Sequence, residues 1–288
     1  MRIKSYRTHF IQELLALYDA LESESFFYLI LEEKHQLKQI HLALNPELEF
    51  NVDEIQVWNS FLAQLKKEIP IQYLLGKTSF YGLDFEVNSN VLIPRPETEE
   101  LVQWIVDVVK FKFPENKKVN ILDIGTGSGC IAISLAKNLP NAKVCAIDVS
   151  REALETARKN AKNNGVKVHF LHKNILETNE LQEQYDIIVS NPPYVRNLEK
   201  QEIKNNVLHN EPHLALFVED EDALIFYKKI ADLAQQNLAA DGKLFFEINQ
   251  YLGQETKALL ETKSFKNIEL RKDIYENDRM IGCEVLKA

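Results

Sequence analysis

The sequence predicts an α/β fold: a mostly parallel sheet covered on both faces, preceded by a small N-terminal helical bundle and a linking β-hairpin. Three observations carry this. From residue 119 onward, short apolar runs alternate with helical patterns, the rhythm of βαβ units. Residues 1–75 instead repeat their apolar positions at helical spacing. Between them, residues 78–93 switch to rough alternation around a glycine, as a hairpin does.

In the first region Ile11, Leu14, Leu15, Leu17, Tyr18 and Leu21 share a helical spacing. So do Phe26, Phe27, Leu29, Ile30 and Leu31, and then Val57, Phe61, Leu62 and Leu65. Breaks are expected near residues 23–25, at Asn45-Pro46 and at Pro70. Asn51 is placed to cap a helix, with Glu54 at the N3 position of a capping box. Seven Lys/Arg against eleven Asp/Glu in residues 1–75 argue against a nucleic-acid grip by charge.

After the hairpin, Pro94-Arg95-Pro96 closes the link, and residues 98–110 read as a helix with Leu101, Trp104, Ile105 and Val108 on one face. Residues 119–124, 143–147, 166–171, 185–190 and 243–248 read as strands. Residues 131–138, 151–163, 222–239 and 254–263 read as helices. Two more strands, 268–272 and 280–285, bring the sheet to seven. Because they follow each other without a helix, one antiparallel strand near an edge is expected. The division predicted is a helical substrate-recognition domain at 1–76, a hairpin linker at 77–94 and a catalytic domain at 95–288.

Composition narrows the function. With 288 residues, core size is not limiting. A net charge of −9 disfavours a protein whose main affinity comes from neutralising phosphates. Cys130, Cys145 and Cys283 are odd in number, widely spaced and form no CxxC pair, which suits buried, unpaired thiols in a reducing compartment. The apolar run at residues 26–31 is too short to span a membrane, and no signal-like segment precedes it. A cytoplasmic protein is expected.

Asp123-Ile124-Gly125-Thr126-Gly127-Ser128-Gly129 lies between the first strand of the α/β region and its helix. Three of the nine glycines fall in five positions, so the backbone can approach a nucleoside-bearing ligand closely before a helix N-terminus. The spacing is GxGxG, unlike the GxGxxG of dinucleotide binders, and no Gly-Lys-Ser/Thr follows as in a P-loop. Asp148, at the end of the second strand, is positioned to accept hydrogen bonds from both ribose hydroxyls. Loop and aspartate together leave a nicotinamide cofactor and S-adenosyl-L-methionine both open.

Ser190-Asn191-Pro192-Pro193-Tyr194-Val195 decides between them. It follows the apolar run at residues 185–189, and two prolines without N–H groups force the chain out of the sheet at Asn191. Ligands of open α/β sheets bind at that carboxyl end. An amide or exocyclic amine nitrogen is a poor nucleophile because its lone pair is delocalised. Two acceptors aimed at its N–H bonds, the Asn191 side-chain oxygen and the Pro192 carbonyl, hold it still and favour pyramidalisation, while Tyr194 stacks on the planar group. This suits methyl transfer from a sulfonium and needs no metal.

These residues resemble the HemK/PrmC family over essentially the whole chain. Pro70-Ile71-Gln72-Tyr73-Leu74-Leu75-Gly76 is similar to the family's PxQYxxG segment. Val91-Leu92-Ile93-Pro94-Arg95-Pro96-Glu97-Thr98-Glu99 is similar to its (V/L)LIPRPETE segment, and Glu211-Pro212 with Ala215-Leu216 to EPxxAL. The resemblance implies a Rossmann-like, S-adenosylmethionine-dependent methyltransferase. Its substrate would be the side-chain nitrogen (N5) of the glutamine in the Gly-Gly-Gln motif of class 1 peptide chain release factors. It further implies that Gly125, Thr126, Gly127, Ser128, Gly129 and Asp148 hold S-adenosyl-L-methionine, and that Asn174-Ile175 meets the adenine, Ile175 packing on the ring. Asn191 would touch both donor and substrate, with Asn191, Pro192 and Tyr194 catalytic and Pro192, Pro193 and Tyr194 framing the glutamine amide. A monomer without a metal, a membrane or a nucleic-acid substrate is expected.

Two departures from the family touch loops. Phe217-Val218-Glu219-Asp220-Glu221-Asp222 stands where many members are Gly-rich. Asp273-Ile274-Tyr275-Glu276-Asn277-Asp278-Arg279 has Glu276 where many have Gly. Arg95 is expected either at the mouth of the site or paired with Glu97 or Glu99, two carboxylates that also suit a helix start. Residues 219–222 read as a solvated acidic loop, and a metal held by His209, Glu211 and His213 is not expected. The competing reading is an N6-adenine DNA or RNA methyltransferase, since such enzymes also use Asn/Asp-Pro-Pro-Tyr/Phe on an extruded base. A non-catalytic cofactor-binding module is disfavoured by the intact glycine loop, Asp148 and Asn-Pro-Pro-Tyr.

Overall fold

Strands and helices follow in the order α1 (Ile3–Leu14), α2 (Ala20–His35), α3 (Gln39–Leu44), α4 (Val52–Leu65), α5 (Ile71–Leu75), β1 (Lys77–Phe80), β2 (Leu83–Glu86) and α6 (Pro96–Lys112). Then come β3 (Val119–Ile124), α7 (Cys130–Asn138), β4 (Ala142–Asp148), α8 (Arg151–Asn163), β5 (Val168–His172), β6 (Tyr185–Ser190) and β7 (Val195–Arg196). The order continues with α9 (Asn205–Asn210), α10 (His213–Leu216), β8 (Phe217–Val218), α11 (Ile225–Asn237), β9 (Leu238–Glu247), α12 (Gly253–Thr262), β10 (Phe265–Lys272) and β11 (Asp278–Val285). This computed structural model describes residues 1–114 and 116–285; residues 115 and 286–288, part of the expected 95–288 domain, lie outside the described residues.

The chain divides into two compact units, Met1–Gly76 with Lys204–Asn210, and Lys77–Ile203 with Glu211–Ala288. The first unit is helical and packs around Trp58, Tyr6, Phe10, Phe27 and Phe50, with Trp58 and Phe27 ring centroids 4.7 Å apart. The capping box at Asn51 forms: Asn51 Oδ1 accepts from the Glu54 N–H at 2.9 Å and Glu54 accepts from the Asn51 N–H at 2.7 Å. The break expected at residues 23–25 does not occur. Asp19 caps α2 by accepting from the Glu22 N–H at 2.8 Å, so the helix starts before the serines and carries them through. Serine is only a weak helix breaker, and Ser23 is fully buried in the packed face.

In the second unit a seven-stranded sheet has the order β10-β11-β9-β6-β3-β4-β5. The pairs β3·β4, β3·β6, β4·β5 and β6·β9 are parallel, whereas β11 is antiparallel to both β9 and β10, one place in from the edge. Strand order reverses between β3 and β6, so the crevice of this sheet opens at their carboxyl ends. The helix expected at 222–239 is shorter, because β9 already starts at Leu238. A Cβ on Gly242 would stand 3.0 Å from the Tyr185 carbonyl, so glycine lets β9 lie close to β6 where their register shifts.

The hairpin β1–β2 turns at Tyr81-Gly82, both in the left-handed region at φ 50° and 72°, and Phe80 and Phe85 join the core of the second unit. Cys145 and Cys283 are buried and Cys130 is half-buried; all three thiols are free. Among the described residues no helix is long and apolar enough to cross a membrane.

One family departure has a visible cost. Glu276, in the turn between β10 and β11, sits at φ 65°. The turn is built around buried Asp273, which accepts from the Tyr275 and Asn277 N–H groups at 2.9 and 3.0 Å and from Arg279 Nε at 2.9 Å. A left-handed non-glycine residue costs roughly 1–2 kcal/mol, part of which a glycine's greater unfolded-state freedom cancels. Glu276→Gly is therefore expected to raise the thermal unfolding midpoint by roughly 2 °C, and Glu276→Val to lower it. A lower midpoint for the glycine variant would remove the strain argument.

Candidate active site

The parallel strands align their carboxyl ends in one register row. Ile124 of β3 pairs with Ile147 of β4 and Ser190 of β6, and Ser190 pairs with Phe246 of β9. The next residue on each strand is Gly125, Asp148, Asn191 and Glu247. Four chemically distinct groups thus stand side by side because four buried apolar runs end at the same level.

The glycine loop is shaped by β4. The N–H groups of Gly125 and Thr126 both donate to the Ile147 carbonyl, at 2.8 and 3.1 Å. Gly125, Gly127 and Gly129 have φ of 77°, 54° and 84°, which L side chains rarely adopt. A Cβ on Gly127 would point into open space, so the backbone there is bare to a ligand. A Cβ on Gly129 would instead meet Ile133 Cδ1 at 2.8 Å and Ala157 at 3.2 Å, so that glycine serves helix packing.

A cavity of about 320 Å³ opens over this edge. Gly125, Gly127, Asp148, Ile175, Asn191, Pro192 and Pro193 all line it. Thr126, Ser128 and Gly129 do not. Thr126 turns inward and donates to Asp123 Oδ2 at 2.6 Å, and Ser128 is buried with its carbonyl accepting from Asn160 Nδ2 at 2.9 Å. Asn160 also exchanges two hydrogen bonds with the Glu86 backbone, at 2.7 and 3.0 Å, and so stitches β2 to the loop. Nothing local in the sequence marks Asn160, because its partners lie far along the chain.

Asp148 accepts from the Gly127 N–H on Oδ2 at 2.8 Å and from the Ser150 N–H on Oδ1 at 2.9 Å. Each oxygen keeps a free lone pair. Burial pushes its carboxyl up, and the backbone N–H groups of Ser150 and Gly127 pull it back. Asn174 accepts from the Leu176 N–H at 3.1 Å and starts the short turn that buries Ile175 beside the cavity.

Asp123 behaves differently. It is fully buried, and burial pushes its pKa from 3.8 up to about 7, against the pull of the Thr126 hydroxyl. A carboxyl raised in the folded state stabilises the fold below its unfolded pKa and loses that contribution as pH climbs through its folded one. Stability linked to Asp123 is therefore lost between about pH 4 and about pH 7. At about 1.4 kcal/mol per unit, roughly 2–3 kcal/mol disappears between about pH 5 and about pH 7. Asp123→Asn should flatten the fall of the unfolding midpoint across that range, and equal slopes in the two proteins would refute the assignment.

A second, smaller cavity of about 50 Å³ is lined by Leu92, Arg95, Asn191, Pro192, Tyr194 and Glu247, among others. Arg95 does not pair with Glu97 or Glu99. Its guanidinium meets the buried Glu211 at 2.6 Å, and Glu211 also accepts from the Ile93 N–H at 3.1 Å. The carboxylate that holds it is 116 residues away, which no local pattern reveals. Glu99 accepts from the Tyr81 N–H at 2.9 Å instead. Residues 219–222 are more than a solvated loop, since Glu219 accepts from Asn197 Nδ2 at 2.9 Å and Asp220 from the Leu198 N–H at 3.2 Å.

Glu247 is the residue that motif reading missed. It is 1 % exposed and accepts from the Thr98 hydroxyl at 2.6 Å and from the Tyr194 hydroxyl at 3.0 Å. Burial pushes its carboxyl up, while the Thr98 and Tyr194 hydroxyls and the charge of Arg279 pull it down. The available signal was a lone carboxylate ending the run Leu244-Phe245-Phe246, as Asp148 and Asn191 end theirs.

Comparison with known proteins shows the family. Residues 8–76 match the PrmC N-terminal domain and residues 107–216 the methyltransferase small domain. The release factor glutamine methyltransferase of Flavobacterium psychrophilum is 62% identical over 281 residues, 98% of each chain. That of Bacteroides thetaiotaomicron is 42% identical, covering 94% of this chain and 95% of its own. Among solved structures, the T. thermophilus 16S rRNA N2 G1207 methyltransferase, in complex with AdoMet and guanosine, shares the fold. Its TM-score is 0.52 at 20% identity, over 73% of this chain and 50% of that one. With near-complete coverage by such relatives and a family match on either side of the hairpin, this chain belongs to the release factor glutamine methyltransferase family.

Proposed function

We propose that this protein transfers a methyl group from S-adenosyl-L-methionine to the side-chain amide nitrogen (N5) of the glutamine in the Gly-Gly-Gln motif of class 1 peptide chain release factors. The observation that carries it is the shared row at the sheet edge, which sets Asn191 and Pro192 beside Gly125 and Asp148 on one cavity. The cavity suits the cofactor: bare backbone at Gly127, two free carboxylate lone pairs at Asp148 and the apolar Ile175 wall match the phosphate-free nucleoside. Its volume of about 320 Å³ is within the range of small-molecule sites.

When bound, S-adenosyl-L-methionine supplies an electrophilic methyl carbon on a sulfonium. The protein supplies position. Asp148 holds the ribose, and Gly125 and Gly127 give close approach. Asn191 Oδ1 and the Pro192 carbonyl accept from the two N–H bonds of the glutamine amide, and Tyr194 covers its face. Orientation and exclusion of water do the work: the methyl–sulfur bond would break as the carbon–nitrogen bond forms, the neutral thioether S-adenosyl-L-homocysteine would leave, and the nitrogen would give one of its two protons to water after transfer. Thr126, Ser128 and Gly129 act by holding the loop in shape, and Pro193 by stiffening the turn.

The helical unit recognises the body of the release factor, a reading supported by its match to the PrmC N-terminal domain and by its acidic balance. Three free cysteines and a translation factor as substrate suit the cytoplasm. Mass spectrometry of the Gly-Gly-Gln peptide, from release factor incubated with and without enzyme and cofactor, tests the proposal. One added methyl on the glutamine supports it. Transfer to adenine in DNA or RNA, with none to release factor, would sink it.

A further inference from the structure

We infer that Thr98 and Glu247 are positioning residues that set which end of the Asn191 carboxamide faces the substrate, and with it the choice of glutamine over glutamate. The inference rests on the reading of Asn191 Oδ1 as the substrate acceptor.

A carboxamide is nearly symmetric in shape, so packing alone does not tell its oxygen from its nitrogen. A hydrogen-bond partner must. Among the described residues the Asn191 side chain meets Thr98 Oγ1, at 3.4 Å from Nδ2. A threonine hydroxyl has one proton to give. Thr98 gives it to Glu247 Oε2 at 2.6 Å, and both Thr98 and Glu247 are almost wholly buried, at 2 % and 1 % exposure. With its proton committed, Thr98 Oγ1 is left as an acceptor, and the only donor Asn191 can offer is Nδ2. The amide nitrogen is drawn toward Thr98 and Oδ1 is turned the other way.

The other Glu247 oxygen accepts from the Tyr194 hydroxyl at 3.0 Å, so one carboxylate orients both side chains of the Asn-Pro-Pro-Tyr turn. The Tyr194 carbonyl is tied down as well, by Asn249 Nδ2 at 2.9 Å. Burial raises the Glu247 carboxyl, and the Thr98 and Tyr194 hydroxyls together with the charge of Arg279, which Asp273 holds, oppose that rise.

The consequence is selectivity. A site presenting two acceptors, Asn191 Oδ1 and the Pro192 carbonyl, takes a group with two N–H bonds. A glutamate carboxylate has none and would face both oxygens unpaired. If the relay is cut, Asn191 turns its N–H end toward the substrate in part of the molecules, which welcomes a carboxylate and leaves the glutamine amide without its acceptor.

The experiment measures steady-state methylation of a Gly-Gly-Gln release factor and competitive inhibition by its Gly-Gly-Glu variant, for the unaltered enzyme, Thr98→Val, Thr98→Ser and Glu247→Gln. Thr98→Val keeps the shape and removes the hydroxyl. Its kcat is expected to fall roughly 10- to 100-fold, and the preference for the Gln over the Glu form to shrink by about tenfold. Thr98→Ser keeps the hydroxyl and restores both. Glu247→Gln, which can donate to Thr98 and free its proton for Asn191 Oδ1, shifts the preference in the same direction as Thr98→Val. A purely structural role would weaken binding of both release-factor forms alike and leave the preference where it was; that result overturns the inference. So does a Thr98→Val enzyme with unaltered kcat and preference while Asn191→Ala is inactive. Failure of the unaltered enzyme to methylate release factor overturns the proposed function itself, and the inference with it.

Discussion

Asn191→Ala is expected to cut methyl transfer to release factor by roughly 10³-fold while leaving cofactor binding within roughly tenfold of normal. Removing one preorganised polar contact from a reacting centre costs on the order of 10²–10³ in rate. The loss here belongs at the upper end, because the amide nitrogen depends on being held by two acceptors at once and Asn191 supplies one of them. The fold should survive. Asn191 is half-buried at the end of β6, and the turn remains anchored by Ser190 Oγ on the Ile124 carbonyl at 2.7 Å and by Asn249 on the Tyr194 carbonyl at 2.9 Å. Single-turnover kinetics at saturating cofactor, alongside calorimetric titration of the cofactor, separates the two effects. Full activity in the variant would refute the acceptor role.

Asp148→Ala acts on the cofactor first. Hydrogen bonds from two ribose hydroxyls to a carboxylate contribute about 1.5–3 kcal/mol each, so affinity should drop on the order of 10²-fold or more. Part of that drop comes through the loop, because Asp148 also fixes the Gly127 N–H at 2.8 Å. Saturating cofactor should recover most of kcat, since Asn191 and Pro192 are untouched. Asp148→Asn, which retains one acceptor oxygen, should fall between the two. Unchanged cofactor affinity in Asp148→Ala would count decisively against the ribose contact.

The fold was legible where local pattern and tertiary context agree. The strands at 119–124 and 185–190 and the helix at 151–163 fall where periodicity puts them, because each is a clean buried run or an amphipathic stripe. The helix break at residues 23–25 was misplaced because serine's weak preference lost to the Asp19 cap, and β9 begins earlier than expected because its pairing with β6 continues through a register shift back to Leu238. In the site, Gly125, Gly127, Asp148 and Asn191 could be named because each follows a recognisable strand end, and Ile175 only through the family resemblance. Asn160 and Glu247 could not, and Thr98 and Glu211, though both lie in family segments, showed nothing there of what they would meet. Their partners are 32 to 149 residues away, and a buried polar network is defined by which chain segments meet, not by any one of them. Asp148 and Glu247 occupy equivalent places at the sheet edge, yet only the former follows a motif.

The place of β11 bears on the order in which the sheet is completed. It follows β10 in sequence but lies between β10 and β9, pairing Met280 with Glu247 and Phe265 with Val285. A chain emerging from the ribosome therefore makes β10 before the strand it must pair with exists. Until residues 278–285 appear, β9 is an open edge, and neither Asp273 nor Glu247 has Arg279 beside it. The nascent chain carries the cofactor loop and Asn-Pro-Pro-Tyr long before that point, but the electrostatic surroundings of Glu247 are completed only when β11 threads into the gap. The carboxylate that meets Thr98 and Tyr194 thus acquires its full surroundings only once β11 is in place.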